Sequence, residues 1–315
     1  MNILFTGAMG FIASNTIPKL LNKGYNVLGF DNLSKPSLTP TDRMKKESGE
    51  NWKNFTFHKV DINNYEHMVS ALASYNKQID IIIHLAAVGS VPLSFTNPQY
   101  SLETNIIGFV NMIQLANNLN VNKFIYASSS SVYGSSLENP RVENKIGSAL
   151  SPYSLAKQNN ESLSQMLLNK NIKKVGLRFF NVYGPGQGLN GYYTPVIPRF
   201  ILEEEPEVYG NGEITRDFTF VDDVSDAILL SINNGDGVYN VGTGNSISLN
   251  VILTLLGKIN KAKYKDPRLG DVLNSQACTL LAEKELSFKA KIGINEGIIK
   301  TKSFYQQHFK NVTIK

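Results

Sequence analysis

The sequence predicts an α/β protein built on a doubly wound parallel sheet, followed by a smaller C-terminal region. Three observations predict it. Short apolar runs alternate with stretches of helical spacing through residues 1–180. The first run, residues 2–6, stops at Gly7 in a glycine turn that opens a helix. The next run, residues 26–30, ends in an acid, Asp31.

Each element follows in order. Residues 2–6 (Asn-Ile-Leu-Phe-Thr) suit a buried parallel strand, which reads as a short continuous apolar run. A helix is expected from Gly10 to Lys23, closed by Gly24. Pro18 lies inside it, where proline costs about 3 kcal/mol and kinks a helix. Residues 26–30 form the second strand. The polar stretch 32–54 reads as a loop with little regular structure. Strands are expected at 55–59, 79–85, 123–127 and 174–179, and helices at 65–74, 104–118 and 153–168. After residue 181 the pattern loosens, with turn signals at Gly184-Pro185-Gly186 and Gly210-Asn211-Gly212. The division is therefore 1–180 for the sheet domain and 181–315 for a mainly substrate-binding region. Segments such as 217–232 are expected to return to the sheet.

Composition narrows the classes of function. A chain of 315 residues, 42% hydrophobic and 18% charged, is an ordinary globular protein. No apolar run approaches the roughly 18 residues of a membrane span, and the first residues carry no secretory pattern, so a cytoplasmic protein is expected. The single cysteine, Cys278, excludes an intrachain disulfide framework. The net charge of +5 is diffuse; Arg43, Lys45 and Lys46 are flanked by Asp42 and Glu47. That argues against a nucleic-acid partner and suits an enzyme for anionic nucleotides. The four histidines (His58, His67, His84, His308) lack ligand spacing, so no metal is expected and each reads as structural or exposed.

The loop Thr6-Gly7-Ala8-Met9-Gly10-Phe11-Ile12-Ala13 carries G-x-x-G-x-x-A between strand and helix. Glycines at 7 and 10 let the backbone turn tightly and approach a pyrophosphate, and the helix N-terminus offers free N–H groups and partial positive charge. Ala13 is still small enough for close helix–strand packing. Asp31 can accept hydrogen bonds from both ribose hydroxyls of an adenosine and would repel a 2′-phosphate, which selects NAD over NADP. These features make the first domain a Rossmann-type unit. Asp61-Ile62 follows the third strand, where the acid either bonds an adenine amino group or is a solvated turn residue. Leu85-Ala86-Ala87 supplies small residues beside the cofactor, or simple close packing.

Tyr153-Ser154-Leu155-Ala156-Lys157 spells Y-x-x-x-K, and positions i and i+4 share a helix face. A lysine ammonium there favours the phenolate and is expected to lower the tyrosine pKa from its ordinary value of about 10. A tyrosinate can then take a hydroxyl proton while hydride leaves for a nicotinamide. A surface tyrosine near a lysine gives the same spacing. The run Ser128-Ser129-Ser130-Ser131 follows the fifth strand, at the strand end where open α/β sheets bind ligands; it is either a hydroxyl donor to the reacting oxygen or a polar turn.

The set TGAMGFIAS, Asp31, HLAA, SSSSVYG, SPYSLAK, LRFFNVYGPGQ and TRDFTFVDDV, in this order across almost the whole chain, resembles the extended short-chain dehydrogenase/reductases, the NAD-dependent epimerase/dehydratase group. Dehydratases of this group place an Asp-Glu pair where Ser130 and Ser131 stand, so the resemblance is closer to the UDP-hexose 4-epimerases. GSVPLS (89–94) and ENKIGSALSPYSLAK resemble the branch acting on UDP-N-acetylglucosamine and UDP-N-acetylgalactosamine in bacterial surface-polysaccharide pathways. That branch often has arginine where Leu93 stands, and an acid where Cys278 stands. Ser275 falls where relatives restricted to non-acetylated sugars have a bulky tyrosine, which leaves room for a 2-acetamido group.

The resemblance implies catalysis by Ser129, Tyr153 and Lys157. It implies NAD binding by Gly7, Gly10, Phe11, Ile12, Asp31, Asn32, Asp61, Ile62, Leu85, Ala86, Ala87, Asn105, Tyr153, Lys157 and Phe180. Substrate would be held by Ser90, Ser129, Ser131, Asn181, Arg216, Arg268, Asp271 and Ser275, the two arginines on phosphate oxygens through forked, charge-assisted contacts. The partners expected are a UDP-sugar and a second copy of the chain. Alternatives within the group are epimerisation of UDP-glucose or UDP-N-acetylglucosaminuronate, or reduction of a 4-keto sugar. A non-catalytic nucleotide-binding protein is the alternative from another class, and the complete Ser-Tyr-Lys set argues against it.

Overall fold

The computed structural model describes every residue except 36, 39, 189–194, 267–273 and 309–315. Its strands are β1 (Asn2–Thr6), β2 (Asn26–Asp31), β3 (Phe55–Lys59), β4 (Ile81–His84), β5 (Lys123–Ser129), β6 (Lys173–Phe179), β7 (Asn181–Tyr183), β8 (Glu207–Tyr209), β9 (Thr215–Arg216), β10 (Phe218–Phe220), β11 (Gly237–Val241), β12 (Ile247–Ser248), β13 (Lys263–Lys265) and β14 (Asn274–Ser275). Its α-helices are α1 (Phe11–Asn22), α2 (Pro40–Ser48), α3 (Tyr65–Ala73), α4 (Val91–Thr96), α5 (Pro98–Leu102), α6 (Gly108–Leu119), α7 (Pro152–Leu167), α8 (Val196–Leu202), α9 (Val221–Asn233), α10 (Leu249–Leu255), α11 (Leu280–Leu286) and α12 (Ile294–His308).

The main sheet is parallel throughout, in the order β11-β6-β5-β4-β1-β2-β3. Both faces are buried, because successive side chains of a strand point to opposite sides. Ile3 and Phe5 of β1, with Ile81 and Ile83 of β4, pack against Ile17 and Leu21 of α1 and Ala227 and Ile228 of α9. Leu4 and Ile82 face the other way, toward Met68 of α3 and Phe109 and Met112 of α6. The strand order reverses at β1, which places a ligand crevice outside the carboxyl ends of β1 and β4. Helix α1 continues through Pro18, whose ring is buried, and Gly24 turns the chain away at φ +81°.

Three expectations are corrected. The polar stretch 32–54 is not all loop: residues 40–54 form α2 and a 3₁₀ turn at Gly49–Asn54. Met44 is the one fully buried apolar residue of α2, and Arg43 bonds the Ser14 hydroxyl and lies over the Phe304 ring, so tertiary contacts rather than an apolar stripe make this helix. The helix expected at 104–118 is preceded by α5 and a π-helical turn at Glu103–Ile107. Segment 217–232 does not rejoin the sheet. It gives β10, which pairs with β7, and then α9, while the strand that returns is β11 beside β6.

The later residues build a second core around Phe200, Val208, Phe218, Phe220, Ile252 and Leu253. Asp217 ties this region to the sheet. Its buried carboxylate accepts from Thr243 N (2.8 Å), Thr243 Oγ1 (2.8 Å), Gly244 N (2.9 Å) and Ala277 N (3.2 Å). Asp217→Ala would leave three backbone N–H groups without that acceptor, each worth about 1–3 kcal/mol when unsatisfied. A loss of at least about 2 kcal/mol in urea unfolding is expected; unchanged stability would show that water replaces the carboxylate.

Candidate active site

The glycine loop is shaped as a pyrophosphate cradle. Gly7 has φ +71°, and a Cβ built on it would lie 2.9 Å from the Ala86 nitrogen, so only glycine fits between β1 and the strand end of β4. Gly10 N donates to Gly7 O (2.9 Å), which closes the turn. The N-terminus of α1 has no side-chain cap and no acid in its first turn, leaving its amides and dipole to an anion. Asp31 closes over the loop: its carboxylate accepts from Met9 N (3.0 Å) and Leu33 N (2.7 Å). Burial raises its pKa and these two amides oppose the rise. A carboxylate has about four acceptor positions, so two are left for ribose hydroxyls.

Around this loop the other expected cofactor residues fall at the same edge. Asp61 accepts from Asn32 Nδ2 (2.9 Å) and Asn63 N (2.9 Å), joining the ends of β2 and β3. Leu85 and Ala86 are half-buried and Ala87 is exposed. Ile62 and Phe180 have buried side chains, Phe180 against the Tyr133 ring, so any contact they make with a ligand is through their backbone. Asn105, on the π-helical turn, accepts from Val88 N (2.9 Å) and donates to Val88 O (3.1 Å), fixing the chain that leaves β4. A π turn inside a helix often marks a functional site. The residues present fit a dinucleotide.

The reacting group stands at the end of β5. Ser129 ends that strand; its hydroxyl accepts from Ser131 N (3.1 Å) and bonds the Ser131 hydroxyl (3.1 Å). Tyr153 and Lys157 come from α7, which begins with a Ser151–Ser154 capping box and Pro152. Ser129 lies close enough to the Tyr153 hydroxyl to favour its ionised form. Lys157 is buried, donates to Ala127 O (2.8 Å), and has its ammonium 5.9 Å from the Tyr153 ring centre. The expectation that Lys157 lowers the tyrosine pKa is corrected. The Tyr153 pKa is raised: burial dominates and Ser129 opposes it. Lys157 is lowered to about 8 by burial, with Glu161 opposing. Burial thus works against the charged form of each group, and the lysine ammonium is anchored on a carbonyl and not on the phenol oxygen.

Ser90 and Asn181 line one cavity of about 610 Å³ together with Phe11 and Lys35. Ser90 also caps α4, accepting from Leu93 N (3.3 Å). Leu93 itself is 1% exposed, so this position belongs to the core and an arginine there would need a buried partner. Arg216 stands in register with Ser275 across β9 and β14, and Asp217 N donates to Ser275 O (2.8 Å). Cys278 is held by its backbone, its N–H on Arg141 O and its carbonyl accepting from Asn240 Nδ2. Arg268 and Asp271 lie outside the described residues.

Several site-shaping residues are absent from the sequence reading. Glu161 pairs with Arg178 below Lys157, Asp217 fixes the strand carrying Arg216, and Asn240 links Tyr133 to the segment around Cys278. Only Glu161 had a local signal, one turn beyond Lys157 on the same helix face. His84 is a core residue, its Nδ1 bonded to Thr6 Oγ1 (2.7 Å); burial, then Lys157, push its pKa down to about 3. No cluster of metal-ligating side chains and no helix able to cross a membrane occurs among the described residues.

The loop, the acid and the Ser-Tyr-Lys group on one sheet edge define a dinucleotide-dependent α/β enzyme. Residues 3–242 match the NAD dependent epimerase/dehydratase family, and the chain belongs to that family, whose cofactor is NAD. It is 32% identical to a UDP-glucuronate 4-epimerase of Thermodesulfobacterium geofontis, covering 98% of this chain and 97% of that protein. A UDP-glucose 4-epimerase from Thermotoga maritima, solved with UDP-glucose, superposes with a TM-score of 0.89 at 31% identity, over 98% of this chain and 99% of the other. A UDP-N-acetylglucosamine 4-epimerase from Methanobrevibacter ruminantium, solved with UDP-N-acetylmuramic acid, gives 0.86 at 31% identity, over 98% and 99%.

Gly7→Ala should weaken NAD binding at least about tenfold, because the methyl meets the Ala86 backbone and the left-handed turn is strained by roughly 1–2 kcal/mol. Titration calorimetry with NAD measures this; unchanged affinity would mean the loop is not the cradle.

Proposed function

We propose that the protein is a UDP-sugar 4-epimerase, and that its substrates are UDP-N-acetylglucosamine and UDP-N-acetylgalactosamine. The observation that carries the epimerase reading is the grouping of Ser129, Tyr153 and buried Lys157 at the sheet edge that also holds Gly7 and Asp31. NAD, when bound, accepts a hydride from the sugar C4 and later returns it. Tyr153 takes the proton of the C4 hydroxyl and gives it back, so no net redox change occurs. Ser129 holds the C4 oxygen by hydrogen bond, and the Lys157 ammonium favours the deprotonated phenol. After the first proton transfer the 4-keto sugar turns its other face to the site. The diphosphate must stay gripped while the sugar turns, and we assign that grip to Asn181 on β7, which lines the cavity, and Arg216 on β9.

The choice of sugar is supported by Ser275. It is a small residue in register with Arg216, and the family resemblance puts a bulky tyrosine at this position in relatives restricted to non-acetylated sugars, which would leave less room for a 2-acetamido group. The similarity to the Methanobrevibacter ruminantium protein is in keeping with it. The Thermotoga and Thermodesulfobacterium relatives favour a second reading, in which a UDP-hexose or UDP-uronate is preferred.

Proton NMR of UDP-N-acetylglucosamine, UDP-glucose and UDP-glucuronate incubated separately with the protein and catalytic NAD tests the reading. Formation of UDP-N-acetylgalactosamine faster than either other epimer is expected. Tyr153→Phe should lower kcat by at least about a hundredfold, the usual scale for loss of an acid–base group, with NAD affinity kept; retained turnover would remove Tyr153 from the mechanism. Ser275→Tyr should suppress the acetamido substrate and spare UDP-glucose. Equal effects on both would discard the gate.

A further inference from the structure

A buried charge below the reacting group is not used by the mechanism above. Glu161 lies one helical turn beyond Lys157 on α7. Its carboxylate receives both forks of Arg178 from β6, Nε at 2.9 Å and Nη2 at 2.7 Å, and the Ser128 hydroxyl at 2.5 Å. All three residues are buried, as is Lys157. We propose that Glu161, seated on Arg178, is the counter-charge that keeps Lys157 an ammonium beside Tyr153, and so is a positioning residue of the reaction.

The inference rests on the epimerase reading for its consequence, and on geometry for its substance. A buried ammonium needs a compensating charge or it sheds its proton. Lys157 has a carbonyl, Ala127 O, but a carbonyl carries no full charge. The groups facing it from neighbouring elements do not supply one. On β4, His84 is kept neutral, its pKa pushed down to about 3 by burial and by Lys157 itself. Tyr153, on the same helix, is favoured as the neutral phenol. Tyr133, after β5, is likewise held neutral by burial and lies over the Arg178 guanidinium at 4.9 Å. Helices α4 and α6 contribute no charged side chain, α5 carries only the half-buried Tyr100 as a titratable group, and Glu103 on the π turn is exposed. That leaves Glu161, whose attraction opposes the effect of burial on Lys157.

Arg178 completes the device. An unpaired carboxylate in this core would itself be costly, and the forked guanidinium compensates it. The order is then cation, anion, cation, from β6 through α7 toward the reacting group. Ser128 adds a mechanical link, because it precedes Ser129 on β5, and Ser129 lies beside Tyr153. A purely structural pair would tie α7 to β6 without setting the charge of Lys157.

The test titrates Lys157 directly in the NAD-bound protein labelled with [ε-13C]lysine, its resonance assigned by loss in Lys157→Met. In Glu161→Gln the midpoint should fall by about one unit, a tenfold change in proton affinity. The double variant Glu161→Gln/Arg178→Gln removes both buried charges and guards against misfolding. Its midpoint should fall as well, by less, since the guanidinium lies on the far side of the carboxylate from the helix that carries Lys157. Glu161→Asp should restore much of the wild-type value. The basic limb of kcat/KM should shift with the midpoint while KM for the UDP-sugar changes little. An unshifted or raised midpoint in whichever of the two glutamine variants folds overturns the inference. A lowered midpoint without turnover of any UDP-sugar by the wild type would leave Glu161 as the counter-charge of Lys157 and defeat the epimerase reading alone.

Discussion

A parallel sheet covered by helices on both faces leaves only its strand ends for chemistry, and every strand here points its carboxyl end the same way. That constraint gathers residues far apart in sequence. Gly7 leaves β1, Asp31 ends β2, Asp61 follows β3, Ala86 follows β4, Ser129 ends β5 and Asn181 follows β6. Helix α7 then needs only to pack beside β5 for Tyr153 to meet Ser129. The reversal of strand order at β1 opens the crevice where the glycine loop lies.

Buried polar knots help to hold the second region to this edge. Asp217 gathers the turn after β11 and the chain near Ala277. Asn240, on β11, donates to Arg141 O and Cys278 O and accepts from the Tyr133 hydroxyl (2.6 Å). Such networks are specific because each member is satisfied only in one arrangement. They set β14 against β9 and so bring Ser275 to Arg216. The position that would choose the sugar is therefore fixed by groups that need never touch it.

The sheet was legible in sequence wherever the signal was local. Strand runs such as Ile81-Ile82-Ile83, the loop from Gly7 to Ala13 and the spacing from Tyr153 to Lys157 all lie within one element, and the strands stand where periodicity put them. Helix α2 was not legible, since with one buried apolar residue it shows no stripe and is held by Arg43 reaching Ser14 and Phe304. The return of β11 in place of 217–232 was equally hidden, because Gly237–Val241 reads no more strand-like than Phe218–Phe220 and only pairing with β6 distinguishes it. Within the site, Asp217, Asn240 and Arg178 were missed for the same reason: their partners are remote in sequence, and a lone acid or amide carries no signal of what it will bond.

The electrostatics of the reacting group follow from that burial. Desolvation raises the Tyr153 pKa and lowers that of Lys157, against what proton abstraction by Tyr153 would need. Two things oppose it: Ser129 beside the phenol and the Glu161 charge behind the lysine. An oxidised nicotinamide held at this edge would add positive charge near the phenol, and a cation near a phenol favours its ionised form. On the proposed reading, the Glu161 charge behind Lys157 and the charge of the oxidised cofactor would together set how readily Tyr153 takes a proton.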